Sequence, residues 1–512
     1  MGKGGSNKLI YKNTLIIYVR MIIVTFVGLL SSRFVLQALG ASDYGLYNVV
    51  GGLVAMLNFI VTAMASTTRR FVNVEMGKPD GDLNKVFNIS LLLHIGFAAF
   101  ILIVAESIGV WYINNYLNVA PGKEADAMFV FQFSTIIACL GIINVPYQSL
   151  IEAHEKFSIA AIIDVSTTLV RFGLIFVLLY YQGNSLRFYA LLMCGTSLLS
   201  FSLFHLVCFR KWPDIIKHRL YKKSPLYKEM LSFNGYTALG AAASIGKSQG
   251  TNLIVNYFFG TIVNAAFAVA YHVESHVYMF VNKLTIAANP QVIRNYASDN
   301  SGRVNYLVQT NSRYCILIMT LMFFPLISEI EFVLDVWLKD VPDGAVLLCS
   351  LTLIQALITS FSEGTNGFVQ ASGKIKWFQI VGSVILLLNL PIGILLFSMG
   401  FEAYWVVVVY IIMSVINRIV TLIMMSKILK FDTWNYVRKA YVRPLVVIAL
   451  MTAIILAYRL LPIESWPLHL LGLIIIFIVT SVFVFFVGLI SSERESIVSK
   501  IKMLLKKKKK AC

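Results

Sequence analysis

Residues 14–36 read TLIIYVRMIIVTFVGLLSSRFVL. At 1.5 Å per residue a helix of this length is roughly 34 Å long, enough to cross a hydrocarbon core of about 30 Å. The run exceeds the apolar part of a signal peptide, so despite the peptidase-like Ala38-Leu39-Gly40-Ala41 behind it, it reads as a retained first span. Two arginines, Arg20 and Arg33, lie inside it. A cation in lipid needs water, a partner or a nearby head group, so each poses a question about function.

The pattern recurs along the chain. Of 512 residues 58% are hydrophobic and only 13% charged, where a soluble domain carries about 25%. Further spans are expected at 45–65, 86–113, 128–150, 158–181 and 188–209, then at 231–259, 261–285, 314–338, 346–369, 377–398 and 403–425, with a last pair at 445–461 and 468–489. About fourteen helices therefore cross the membrane, and no soluble domain is large enough to act alone. The expected fold is an all-α integral membrane protein. Its parts are an N-lobe (1–209), a basic cytoplasmic linker (210–230), a C-lobe (231–425), and two further helices with a basic tail (426–512).

The net charge of +18 would suggest nucleic acid if it were clustered on a soluble surface. Here it reports orientation. With the N-terminus inside, 33 of the 43 Lys and Arg residues fall on inner segments, and only Lys123, Arg187 and Lys339 fall outside. Both termini of this inner-membrane protein are thus expected in the cytoplasm. The remaining seven, Arg20, Arg33, Arg171, Lys247, Lys283, Arg418 and Arg459, lie within spans.

The two six-span halves overlay with a shift of about 220 residues. Leu39-Gly40-Ala41 falls on Phe259-Gly260-Thr261, and Ile151-Glu152-Ala153-His154-Glu155-Lys156 falls on Val369-Gln370-Ala371-Ser372-Gly373-Lys374. Both halves start on the same side, which predicts parallel repeats related by a pseudo-two-fold about the membrane normal.

Polar residues within spans mark the candidate site. The seventh span carries Lys247 and Thr251 on one face and Gln249, Asn252 and Asn256 on nearly the opposite one; two polar faces need protein or water around them. Glycine-rich helix packing accounts for the amides, and a cavity role accounts for Lys247. On the eighth span Glu274 is deep, while Lys283 is near the inner end and can snorkel. Asp164 and Arg171 are seven residues apart on nearly one face, which fits a structural charge pair or a protonatable relay; Glu363, among Ser360, Ser362, Thr365 and Asn366, poses the same choice. Asp164, Glu274 and Glu363 are the candidates for ion coupling.

Several chemistries are excluded. There is no phosphate-binding Gly-x-x-x-x-Gly-Lys-Ser/Thr loop and no Gly-x-Ser-x-Gly elbow. His272 and His276 have no third ligand or His-Glu-x-x-His pattern, and the six cysteines show no paired spacing in an outer loop. No cofactor, metal, catalytic residue or nucleic-acid partner is expected, and the protein reads as a non-enzyme.

A family resemblance rests on Arg33-Phe34-Val35-Leu36-Gln37-Ala38-Leu39-Gly40-Ala41-Ser42-Asp43-Tyr44-Gly45-Leu46-Tyr47 and on Gln249-Gly250-Thr251-Asn252, Phe258-Phe259-Gly260, Val263-Asn264-Ala265-Ala266, Ala288-Asn289-Pro290-Gln291-Val292 and Gln370-Ala371-Ser372-Gly373-Lys374. In this order the segments resemble bacterial lipopolysaccharide and O-antigen flippases, the polysaccharide branch of the superfamily that includes MATE drug exporters. The resemblance implies a MATE-like fold and alternating access. It also implies a substrate, an undecaprenyl-diphosphate-linked oligosaccharide moved from the cytoplasmic to the periplasmic leaflet for surface polysaccharide biosynthesis. Membrane lipids, a coupling sodium ion or proton and a polysaccharide polymerase complex are the implied partners. Basic cavity residues would hold the diphosphate, with Arg20, Arg33, Lys247 and Lys283 as candidates. The alternative is a MATE-type ion-coupled exporter of drugs or metabolites relying on the acidic residues.

Overall fold

A computed structural model describes residues 3–55, 58–115, 122–338, 341–460, 465–495 and 498–499; for some of these, including 3–12, 33, 256 and 260–262, only the backbone is described. Every regular element among the described residues is a helix. The run Lys506–Lys510 and Cys512 lie outside the described residues. The helices are α1 (Lys3–Ala55), α2 (Asn58–Gly77), α3 (Leu83–Asn115), α4 (Glu124–Ala153), α5 (Phe157–Leu179), α6 (Ser185–Lys211), α7 (Leu226–Ala297), α8 (Ser301–Ser328) and α9 (Ile330–Leu338). They continue as α10 (Ala345–Ser372), α11 (Lys376–Ser398), α12 (Trp405–Leu429), α13 (Thr433–Ala440), α14 (Val442–Tyr458) and α15 (Trp466–Gly488).

Nine of these are long and apolar enough to cross a membrane, or ten if α13 and α14, bent by 40°, count as one span. They cover ten of the fourteen expected spans. The other four fall on α1, α2 and α7, whose sequences are more polar or only partly described. In α1 the helix breaks at Gly40 (φ 74°, ψ 168°), a backbone conformation open to glycine and strained for other residues. That break lies between the first and second expected spans.

The 72-residue run of α7 would be about 108 Å long if straight. It is not straight, because Lys247 Nζ lies 5.5 Å from the ring of Tyr271, twenty-four residues on and about 36 Å away along a straight axis. The run therefore reverses between these residues, which makes it a helical hairpin and accommodates both the seventh and the eighth spans.

The chain divides into two compact units, Met1–Ala242 with Asn289–Asn300, and Ala243–Ala288 with Ser301–Cys512. In unit 1, α4 packs on α2, α3 and α6, and α1 runs along α5. Buried Val130, Phe131 and Leu186 form one apolar cluster and Val35, Ile175 and Leu178 another. The basic segment after α6 is pinned to the start of α3: the Asn84 amide donates to Asp214, Ile215 and Lys217 carbonyls (2.9, 2.9 and 2.8 Å), and Asn88 Oδ1 accepts from the Arg219 N–H (3.1 Å). In unit 2, α8 packs on α10, α14 and α15. Val447, Met451 and Ile476 of the last two helices belong to its core, so these helices are built into the unit and are not an appendage.

Lipid gives helices no hydrophobic reason to associate, so close packing at small residues holds them together. A Cβ on Gly364 would stand 2.3 Å from Ser312 Cα, and one on Gly472 would stand 1.9 Å from the Tyr458 hydroxyl. The internal repeat also has a backbone counterpart. Glu155 (φ 57°) and Gly373 (φ 71°), matched by the sequence overlay, are both left-handed and each ends its helix. Their N–H groups donate to the Glu152 and Gln370 carbonyls (2.9 and 3.2 Å).

Candidate functional site

A polar cluster within the spans lies in unit 2 around Lys247. Its side chain is 6% exposed, and its ammonium sits 3.3 Å from the ring centroid of Tyr410 on α12 and 5.5 Å from that of Tyr271. A desolvated cation over an aromatic face gains about 2 kcal/mol, which offsets part of the cost of burying it. Glu274 supplies the opposing charge. Tyr271 lies beside Thr251 across the α7 hairpin, and Tyr410 beside Ser414. Four residues beyond Glu274, the Tyr278 hydroxyl donates to Glu363, whose carboxylate also bonds Asn366. Glu363 is the last residue before α10 is interrupted at Gly364, and the contact of Gly364 with Ser312 fixes that interruption against α8. The cluster thus juxtaposes one cation, two carboxylates and three phenols, an arrangement able to bind an anion or to exchange a cation or proton.

Of the residues expected from sequence, Lys247, Glu274 and Glu363 come together here. Lys283 is half-buried but nine residues beyond Glu274, about 13 Å along the helix. Asn252 is half-buried and Gln249 is exposed, so of the two polar faces only that of Lys247 and Thr251 is enclosed. The side chain of Asn256 lies outside the described residues. Tyr410 escaped the sequence reading because tyrosines abound in spans and only the tertiary arrangement shows which of them face a charge, whereas Tyr271 and Tyr278 are legible in the sequence as sharing a helix face with Glu274.

Unit 1 holds a second charged element. Arg20 forms an ion pair with Asp164 of α5, the side chains being 28% and 21% exposed. Asp164, for which the sequence leaves open a charge pair with Arg171 or a protonatable relay, has Arg20 as its ion-pair partner. Seven residues of rise separate Asp164 from Arg171, whereas α1 lies directly alongside α5. Arg171 instead lies near Tyr47 and Tyr189. Arg33 is on α1, but its side chain lies outside the described residues. Just before α5 begins, Glu152 accepts from Arg69 (3.2 Å), and buried Glu155 pairs with Arg294 (3.4 Å) and accepts from Gln291 (3.0 Å).

Arg418 and Arg459, both within expected spans, have structural partners. Buried Arg418 donates to Tyr441 (2.7 Å), Thr365 (3.1 Å) and Tyr436 (3.0 Å) hydroxyls, and Arg459 to the Ile327 carbonyl (3.2 Å).

No protein-family profile matches the chain, and no curated protein matches it. Solved structures do. A MATE transporter in the bent conformation aligns with a TM-score of 0.70 at 15% identity, covering 81% of this chain and 93% of that one. A MOP-superfamily transporter from Pyrococcus furiosus, described as having a binding pocket of reverse polarity that suggests a different function, aligns at 0.66 and 13% identity, covering 82% and 96%. The MATE transporter ClbM in complex with Rb+ aligns at 0.65 and 16% identity, covering 81% and 93%. The chain is therefore a multi-pass membrane protein with the fold of the MATE transporters, as expected.

Proposed function

We propose that this protein is a flippase of the bacterial inner membrane, moving an undecaprenyl-diphosphate-linked oligosaccharide from the cytoplasmic to the periplasmic leaflet by alternating access for surface polysaccharide biosynthesis. The observation that carries the reading is Lys247, a cation buried at depth in a cluster of tyrosines. A diphosphate in a low-dielectric site needs compensating positive charge, and Arg20, Arg33, Lys247 and Lys283 are the cations proposed for that role. The sequence segments that resemble O-antigen flippases support the substrate class. Turnover would draw on a sodium or proton gradient or on membrane potential.

A second reading is favoured by one specific arrangement. Glu363, held by Tyr278 and Asn366, offers a carboxylate suited to a coupling ion, as an ion-coupled exporter requires. In proteoliposomes supplied with a lipid-linked oligosaccharide, Lys247→Ala is expected to lower the initial flipping rate at least tenfold while Glu363→Gln abolishes the response to an imposed gradient. Undiminished flipping by a normally inserted Lys247→Ala protein overturns the cationic-site reading. Gradient-driven efflux of a cationic dye without any oligosaccharide movement selects the exporter.

A further inference from the structure

An open groove of about 500 Å³ runs between α1 and α5 in unit 1, within the volume range of ligand clefts, about 300–1,000 Å³. Its walls are mostly carbon, with Ser158 and Ser166 on the α5 side. Leu15, Val19 and Ile23 rise on one face of α1 at four-residue spacing, and Ile162 and Val165 face them from α5. Leu15 and Ile162 are 64% and 66% exposed, so the groove is open along its length. Adjacent helix axes lie about 8–10 Å apart, which makes the furrow between them one hydrocarbon chain wide. Eight residues of α1 give it about 12 Å of length.

Arg20 breaks this mostly carbon lining. It sits about 9 Å inside the inner end of the first expected span, and its guanidinium is held there by the Asp164 carboxylate. Its ion pair with Asp164 remains more than a fifth exposed on both sides. A half-open ion pair beside a mostly apolar wall is costly, because lipid tails cannot solvate the open half. An amphiphile whose chain lies in the groove and whose anionic head reaches Arg20 satisfies both features at once. Neither a wholly apolar lipid tail nor a free anion does.

We propose that the α1–α5 groove is a binding site for a single-chain lipid phosphate, the chain lying along Leu15, Val19 and Ile162 and the phosphate competing with Asp164 for the Arg20 guanidinium. The substrate class rests on the flippase reading, but the binding does not require transport. A fork-shaped guanidinium can exchange a carboxylate for a phosphate without a change of position, which makes Asp164 the group displaced on loading.

The test uses the full chain in nanodiscs of zwitterionic lipid, with farnesyl phosphate as probe and farnesol, inorganic phosphate and a two-chain phosphatidic acid as comparisons. Farnesyl phosphate is expected to bind at least tenfold more tightly than each of the three. Ile162→Trp, which fills the groove, and Arg20→Gln are each expected to weaken it at least tenfold. Val19→Trp, from the opposite wall, serves if Ile162→Trp does not fold. Leu253→Trp, on an exposed face of unit 2, should leave binding unchanged. Wild-type affinity in a folded groove-filling variant overturns the proposal, and so does equal binding of phosphatidic acid, which marks an ordinary lipid-filled crevice. If farnesyl phosphate binds as expected but lipid-linked oligosaccharide does not flip in proteoliposomes, the functional reading fails and the site stands.

Discussion

Arg418 is 6% exposed, and no ion pair to it is found among the described residues. Three hydroxyls replace the carboxylate, and Tyr436 passes the contact on to Ser312 of α8 (2.8 Å). Hydrogen bonds to charged groups contribute about 1.5–3 kcal/mol, and buried hydroxyls left without their partner are penalised. Arg418→Ala is therefore expected to destabilise unit 2 by roughly 2–4 kcal/mol, read as a lowered melting temperature in detergent. Arg418→Lys should recover only part of this, since a single ammonium cannot span the fork. The sequence marked Arg418 as an intramembrane cation no different in kind from Lys247; its structural role became visible only with its neighbours. His154 offers a pH test outside the spans. Burial, at the end of α4 where its ring lies 4.3 Å from that of Trp212, lowers its pKa, and nearby Arg294 and Lys156 act in the same direction. The unfolded chain, with a histidine pKa of about 6.5, then binds the proton more readily than the folded one, so stability is undiminished above that pH and falls as pH drops below it. His154→Gln is expected to flatten the dependence between about pH 6.5 and 5, measured by thermal unfolding across that range.

The helices show which sequence signals translate directly. The apolar runs at 86–113, 128–150, 158–181 and 188–209 reappear as α3 to α6 with ends shifted by a few residues, because in lipid a backbone polar group must bond within its own helix. Breaks were legible only where glycine imposed them. Gly40, with a positive φ, is expected to resist substitution: Gly40→Ala places a side chain in a conformation costing about 1–3 kcal/mol, detectable as reduced thermal stability even though no atom lies within 4 Å to clash. Gly364 differs in mechanism. There the obstacle is the Ser312 backbone, with Cα at 2.3 Å and N at 2.4 Å, which cannot rotate aside. Gly364→Ala should both destabilise unit 2 and move Glu363, so that coupling to an ion gradient falls together with melting temperature. Glu363→Gln would leave the melting temperature nearly unchanged. The reversal of α7 was foreseen as a junction at Gly260, yet its consequence, that Lys247 and Thr251 meet Tyr271, requires the folded hairpin.

At the scale of the whole molecule, the basic bias predicts topology. Cysteines placed at Lys222 and at Glu124 of a cysteine-free variant are expected to react with an impermeant maleimide from opposite sides of the membrane, Lys222→Cys only from within; labelling of both from one side would contradict the assigned orientation. The chain by itself determined that it spans a membrane many times, which helices do so, and that a few cations and carboxylates are left at depth, because hydrophobic length and charge asymmetry are local quantities that lipid reads directly. Only the tertiary structure decided which of those charges are structural and which are grouped. Arg418 went to a cage of hydroxyls, Asp164 to Arg20, and Lys247 to a tyrosine cluster with Glu274. The physical reason is that a charge in low dielectric takes its meaning from groups within a few ångströms, and those groups come from helices distant in sequence.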